Sequence, residues 1–170
     1  MAEDKINILL VDDEEALLDS ISRRLKIREF NVIAVNRGEK ALEVVRRYPI
    51  DVAILDLKMP GMSGKDVLVT LKRDYPWLEI VILTGHGSVD PEQEKVYGQA
   101  HTFLAKPCEL ETLLHVLVDA YKKTVMNRNK IAMKDMENML KSPTLKSARE
   151  VMLRLKELDK QRVNKEGGSR

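Results

Sequence analysis

Four short apolar runs in this chain each end on a group that can do chemistry. Asp12 and Asp13 follow Ile-Asn-Ile-Leu-Leu-Val, Asp56 follows Asp-Val-Ala-Ile-Leu, Thr84 closes Glu-Ile-Val-Ile-Leu-Thr, and Lys106-Pro107 follows Thr-Phe-Leu-Ala. Three carboxylates brought close together cannot all stay ionised at neutral pH unless a cation sits among them, and hard oxygen donors of this kind suit Mg²⁺ better than zinc. A lysine ammonium and a threonine hydroxyl remain to meet an anion. Carboxylate nucleophile, divalent metal, ammonium and hydroxyl together are what phosphoryl transfer needs, with Asp56 becoming an aspartyl phosphate.

These groups converge only if the runs are parallel strands of one sheet, because such strands end at a common edge, where ligands of open α/β folds bind. The pattern predicts five buried strands, at Ile6–Val11, Asn31–Val35, Val52–Leu55, Ile80–Leu83 and Thr102–Ala105. Between them lie apolar positions at helical spacing: Leu17, Leu18, Ile21 and Leu25; Ala41, Leu42 and Val45; Val67, Leu68 and Leu71; and Leu110, Leu113, Leu114, Leu117 and Tyr121. Alternation of strand and helix predicts a doubly wound α/β sheet.

Each residue also has a plainer reading. Asp12 and Asp13 could cap the helix that begins near Glu14, where orphan N–H groups and the dipole favour acids. Asp56 before Met-Pro-Gly could be a turn former, Thr84 a loop hydroxyl and Lys106 a solvated lysine. Their joint placement at strand ends is what favours a site. His101 and His115 have no partner at ligand spacing, so the histidines predict no zinc centre. Cys108 reads as an inert, buried thiol.

Taken together, Val11-Asp12-Asp13-Glu14, Asp56-Leu57-Lys58-Met59-Pro60-Gly61-Met62-Ser63-Gly64, Leu83-Thr84-Gly85 and Phe103-Leu104-Ala105-Lys106-Pro107 resemble the receiver domains of two-component response regulators over about residues 5 to 124. The resemblance implies a flavodoxin-like sheet of strand order 2-1-3-4-5 and a phosphoacceptor at Asp56. It implies Mg²⁺ held by Asp13, Asp56 and the backbone carbonyl of Lys58, with Asp12 acting largely through water, and Lys106 paired with the phosphoryl oxygens. It also implies a switch in which Thr84 moves towards the phosphoryl group and Phe103 fills the space vacated. Lys58 and His86 fall where the family tunes hydrolysis, and Lys106-Pro107 where it uses a cis peptide. The implied phosphoryl donor is a sensor histidine kinase or a phosphotransfer protein. The stretch Asp90–Gln99 departs from the family in being strongly polar, which predicts a short helix there.

The division expected is a receiver unit at 1–125 and a helical extension at 126–170. Lys/Arg against Asp/Glu count 15 to 21 over residues 1–119 and 14 to 6 over 120–170, so the two parts carry −6 and +8. In the extension, Asn127-Arg128-Asn129-Lys130 reads as a break, and Ser142-Pro143-Thr144 separates two apolar stripes, Ala132/Met136/Met139/Leu140 and Leu145/Ala148/Met152/Leu155, before a frayed end from Asn164. The stripes call for burial against each other, the receiver or a second subunit, with a homodimer through these helices the favoured case. No apolar run has the length of a membrane span and there is one cysteine, which with the absence of a secretory leader predicts a cytoplasmic protein.

Three function classes compete. A phosphorylation-activated receiver signalling by protein contact is favoured, and it would assist only its own phosphorylation and dephosphorylation. A transcription regulator using the basic helices on DNA is disfavoured, since the extension is short for the usual output modules and its cations are spread. An aspartyl-phosphate phosphatase would need a second acid two residues after its nucleophile, and that position holds Lys58.

Overall fold

The computed structural model describes residues 5–85, 95–141 and 147–166, with side chains as far as residue 161. Its elements run β1 (Asn7–Val11), α1 (Glu15–Ile27), β2 (Asn31–Val35), α2 (Gly38–Arg47), β3 (Val52–Leu55), α3 (Gly64–Asp74), β4 (Ile80–Thr84), β5 (Thr102–Ala105), α4 (Leu110–Asn129), α5 (Met133–Leu140) and α6 (Ala148–Glu166). All strand pairs are parallel and the sheet order is β2-β1-β3-β4-β5. This is the doubly wound, flavodoxin-like α/β sheet that the sequence predicts.

Strand side chains alternate between the two faces, so each strand feeds two cores. Ile8, Leu10, Ile54, Val81 and Leu83 face α1 and α4, where they meet Leu18, Leu25, Leu113, Leu117 and Tyr121. Leu9, Val11, Ala53, Leu55, Ile80 and Ile82 face α2 and α3, against Ala41, Val45, Val67, Leu68 and Leu71. The central strands β3 and β4 are buried throughout, as covered parallel strands must be, whereas the outer strand β5 alternates. The helices on both faces hold the strand ends in register, and with them the residues that follow each strand.

The extension is part of the first core. Met136 of α5 and Met152, Leu155 and Leu158 of α6 are buried in the cluster that contains Ile6, Phe30, Tyr121 and Val125. The stretch read as a break at Asn127–Lys130 is still helical as far as Asn129, and the left-handed Lys130 (φ 53°) ends α4. The reason is tertiary. Arg128 Nη1 lies 2.5 Å from Asp159 Oδ2 and Asn129 Nδ2 donates to Asp159 Oδ1 at 2.6 Å, so α6 extends the helix by giving its last turn buried partners. Lys156 Nζ reaches Asp51 Oδ2 at 2.7 Å, just before β3, and Arg149 pairs with Glu29 after α1. The opposite charges of the two parts therefore meet within the chain. At the far end, α6 is helical through Glu166, two residues past the point where fraying is expected to begin.

Of the polar stretch from Asp90, residues 95–97 make a helical turn that buries Tyr97, while 90–94 fall outside the described residues, as do His86 and Leu145. Among the described residues no helix is long and apolar enough to cross a membrane.

Candidate functional site

The sheet ladder carries one residue past each strand. Asp12 N–H donates to Val35 O at 3.2 Å, Asp56 N–H to Val11 O at 2.9 Å and Lys106 N–H to Thr84 O at 2.9 Å. Asp12, Asp56 and Lys106 are thus fixed by backbone bonds to neighbouring strands at the carboxyl edge, and Thr84, the last residue of β4, is buried beside them.

Asp12 and Asp56 are 3% and 5% exposed, while Asp13 is open to solvent. One carboxylate oxygen from each of the three lies within 4.8 Å of the other two, the grouping among the described residues that suits a metal ion. Lys106 Nζ sits 2.6 Å from Asp12 Oδ2, 3.3 Å from Asp56 Oδ2 and 3.6 Å from Glu14 Oε1, following a cis Lys106–Pro107 peptide. Asp12 serves two purposes, because its Oδ1 also accepts the N–H of Glu14 at 2.9 Å at the entry to α1. This bond turns the chain ahead of the helix and is not a cap: the N-cap of α1 is Glu14, with no side-chain cap bond, so the expected capping by Asp12 or Asp13 is not found.

Burial, and then the charge of Asp12, push the Asp56 carboxyl above the ordinary carboxylate range; Lys106 and the N–H of Lys58 only partly offset this. Burial alone would lower Lys106, but Asp12 and Asp56 raise it, so the lysine stays charged. Glu79 supplies a contrast. It is 3% exposed at the opposite end of the sheet, where burial would raise its carboxyl, yet His101 with Lys72 and Lys123 hold it below the usual range. The shortage of positive charge is at Asp56. A hard divalent cation beside Asp12, Asp13 and Asp56 would correct it, so the donor set fits Mg²⁺.

The loop after Asp56 is built for close approach. Ser63 caps α3, its Oγ accepting from Asp66 N at 3.2 Å. Gly64 N–H donates to Leu57 O at 3.1 Å, and a Cβ at Gly64 would stand 2.2 Å from the carbonyl oxygen of Asp56, so the return of the chain onto the acceptor's own peptide requires glycine. Lys58 has an exposed side chain and turns its backbone N–H to Asp56.

Phe103 lies on β5, three residues before Lys106. It is 37% exposed and meets Tyr97 edge-on, ring centroids 5.9 Å apart. His115 Nδ1 is 2.7 Å from Glu111 O in its own helix, and His101 Nδ1 is 3.6 Å from Glu79 Oε2. Neither joins a metal group among the described residues. Cys108 is half-buried, its Sγ donating to Glu109 O at 3.4 Å, and burial pushes its thiol up, which suits an unreactive group.

Two residues near the site were not assigned roles from the sequence. Glu14 approaches Lys106, and Glu39 Oε1 of α2 accepts the N–H of Met62 in the loop after Asp56, at 3.1 Å. Glu14 adjoins the acidic pair, a signal that was readable. Glu39 is 23 residues from its partner, and nothing local marks it.

The profile of the family described as response regulator receiver domain matches residues 8–118. The response regulator protein FleR of Pseudomonas aeruginosa is 34% identical over 110 residues, 65% of this chain and 23% of that protein. The transcriptional regulatory protein GlrR of Escherichia coli is 29% identical over 73% of this chain and 28% of its own length. The chain therefore spans about a quarter of the length of these curated relatives. Among solved structures, a response regulator receiver domain protein from Clostridium thermocellum superposes with a TM-score of 0.64 at 32% identity, over 75% of this chain and 99% of that one.

Proposed function

The chain belongs to the response regulator receiver domains of two-component signalling, and from that premise we propose that Asp56 accepts a phosphoryl group from a sensor kinase's phospho-histidine, or from a phosphotransfer protein, and so switches the contacts of the protein. The observation that carries this is the placement of Lys106 Nζ between Asp12 and Asp56, beside an Asp56 carboxyl that burial and a neighbouring charge hold high.

In the reaction an Asp56 oxygen attacks phosphorus in line, the phosphorus–nitrogen bond to histidine breaks, and its electron pair stays on the imidazole. Asp12, Asp13, Asp56 and the carbonyl of Lys58 would hold Mg²⁺, which supplies charge neutralisation for the transferring group. Lys106 keeps its proton and pairs with a phosphoryl oxygen. Thr84 donates its hydroxyl to another, and Phe103 moves inward from its half-exposed place against Tyr97. The protein turns over no external substrate.

Residues 1–125 act as the receiver and 126–170 as an extension with a structural part in it. A reading as a DNA-contacting regulator loses support from the inward pairing of Arg128 and Lys156 with Asp159 and Asp51, and from the surface pairing of Arg149 with Glu29. A homodimer through the extension loses its main argument, because Met136, Met152 and Leu155 are already buried.

Labelling with acetyl phosphate and Mg²⁺, followed by trapping and peptide mapping, tests the proposal: an alkali- and hydroxylamine-labile phosphoryl group on Asp56 is expected, and label on any other residue overturns it. If Lys58 and His86 govern water access, replacing either by alanine changes the aspartyl-phosphate half-life by about tenfold, roughly 1.4 kcal/mol of barrier, without preventing labelling. Unchanged half-lives in both variants would return them to the ordinary surface.

A further inference from the structure

Asp56 is followed by a loop, residues 57–63, that must present the N–H of Lys58 to the acceptor carboxylate and its carbonyl to the metal position. One end of the loop is closed by the bond from Gly64 N–H to Leu57 O. Its turn is made at Gly61, whose φ of +78° places it in the left-handed region. The next N–H, of Met62, is held from outside by Glu39 Oε1 at 3.1 Å.

The carboxylate is brought there by close backbone packing. Gly38, which precedes it in the first turn of α2, is buried, and a Cβ at Gly38 would stand 2.6 Å from Val67 Cγ2 and 3.1 Å from Met62 Cβ. At the other side, a Cβ at Gly61 would stand 3.2 Å from Glu39 Oε1. Two glycines therefore let α2 and the loop approach until a carboxylate one residue into the helix meets the loop amide. The N–H groups of Glu39 itself and of Met62 hold this carboxyl below its usual range, so it is ionised at neutral pH.

We propose that Glu39 is a positioning residue for the phosphorylation site: it pins the loop at Met62 and thereby orients the Lys58 peptide that faces Asp56 and the metal. This rests on the functional reading above. Glu39 is not one of the carboxylates grouped at the metal position, so its effect must pass through the loop. Charge is not what the loop amide needs. It needs an acceptor, which glutamine also offers and alanine does not.

The test compares Glu39→Ala with Glu39→Gln in the full chain, measuring Mg²⁺ affinity by calorimetry, the Mg²⁺ dependence of labelling by acetyl phosphate, and the urea midpoint. Loss of the acceptor for the Met62 N–H predicts that Glu39→Ala weakens Mg²⁺ binding about tenfold and slows labelling at low Mg²⁺, with the rate recovered at saturating Mg²⁺. Glu39→Gln is expected within about twofold of wild type, the difference expected when the acceptor is kept. Both variants should unfold near the wild-type midpoint. Wild-type Mg²⁺ affinity in Glu39→Ala, or equal weakening in both variants, overturns the positioning role while leaving the assignment of Asp56 intact. A wild-type chain that takes no label on Asp56 and binds no Mg²⁺ removes the functional reading and this inference together.

Discussion

Asp56→Asn is expected to take no alkali- and hydroxylamine-labile phosphoryl group from acetyl phosphate or a phospho-histidine donor, and to be more stable than wild type at neutral pH. The first effect follows from loss of the nucleophilic oxygen. The second follows from electrostatics. Burial and Asp12 raise the folded-state pKa of Asp56 above its unfolded value, so between those two values the native state binds more protons and stability falls as pH rises. Above the folded-state pKa the whole of this penalty is present, and below the unfolded value, near pH 4, it is absent. Asparagine keeps the shape and removes the charge. Urea midpoints of both proteins between pH 4 and 8 check this: the variant's advantage should grow as pH rises from the unfolded value and level off above the folded-state pKa. A variant that labels normally would sink the assignment of Asp56, and one less stable than wild type at pH 7.5 would contradict the electrostatic account. Added Mg²⁺ should stabilise wild type more than the variant, since a ligand stabilises the state that binds it.

Ending the chain after Lys141, which removes α6, is expected to have the largest effect on stability. Met152, Leu155 and Leu158 are buried side chains of the first core, and at about 1.5–3 kcal/mol each their removal costs roughly 5–9 kcal/mol before the compactness of the unfolded chain is allowed for. The same cut strips Lys156 from Asp51 and Asp159 from Arg128, so Asp51 keeps only the more distant Arg128, at 4.0 Å, and the N–H of Asn7. A loss of at least about 3 kcal/mol is therefore expected, read from urea unfolding and checked by sedimentation for association through the uncovered face. An unchanged midpoint would mean that α6 is not held where it lies. Double-mutant cycles at Lys156–Asp51 and Arg128–Asp159 would separate the ion pairs from the apolar contribution.

The strand positions and the convergence of Asp12, Asp13, Asp56 and Lys106 could be read from the sequence, because both depend on local rules. A parallel strand covered on two faces must be an apolar run, and the residue just beyond it stands at the sheet edge whatever the helices do. The order 2-1-3-4-5 was available through resemblance, whereas periodicity alone is consistent with any doubly wound order. Tertiary structure decided the rest. The stripe Met152/Leu155 announces a helix that must be buried, but the hydrophobic effect is non-directional, and a stripe does not say whether its cover is a second chain or its own receiver. The answer came from pairs far apart in sequence: Lys156 with Asp51, Arg149 with Glu29, and Asp159 with Arg128 and Asn129. These pairs also explain why α4 continues through Asn127–Asn129, where propensity favours a break: buried partners outweigh tenths of a kcal/mol of helix preference. Glu39 is a case of the same kind. An acid in the first turn of a helix satisfies the dipole wherever it occurs, and only the close approach allowed by Gly38 and Gly61 turned this one towards the loop beside Asp56.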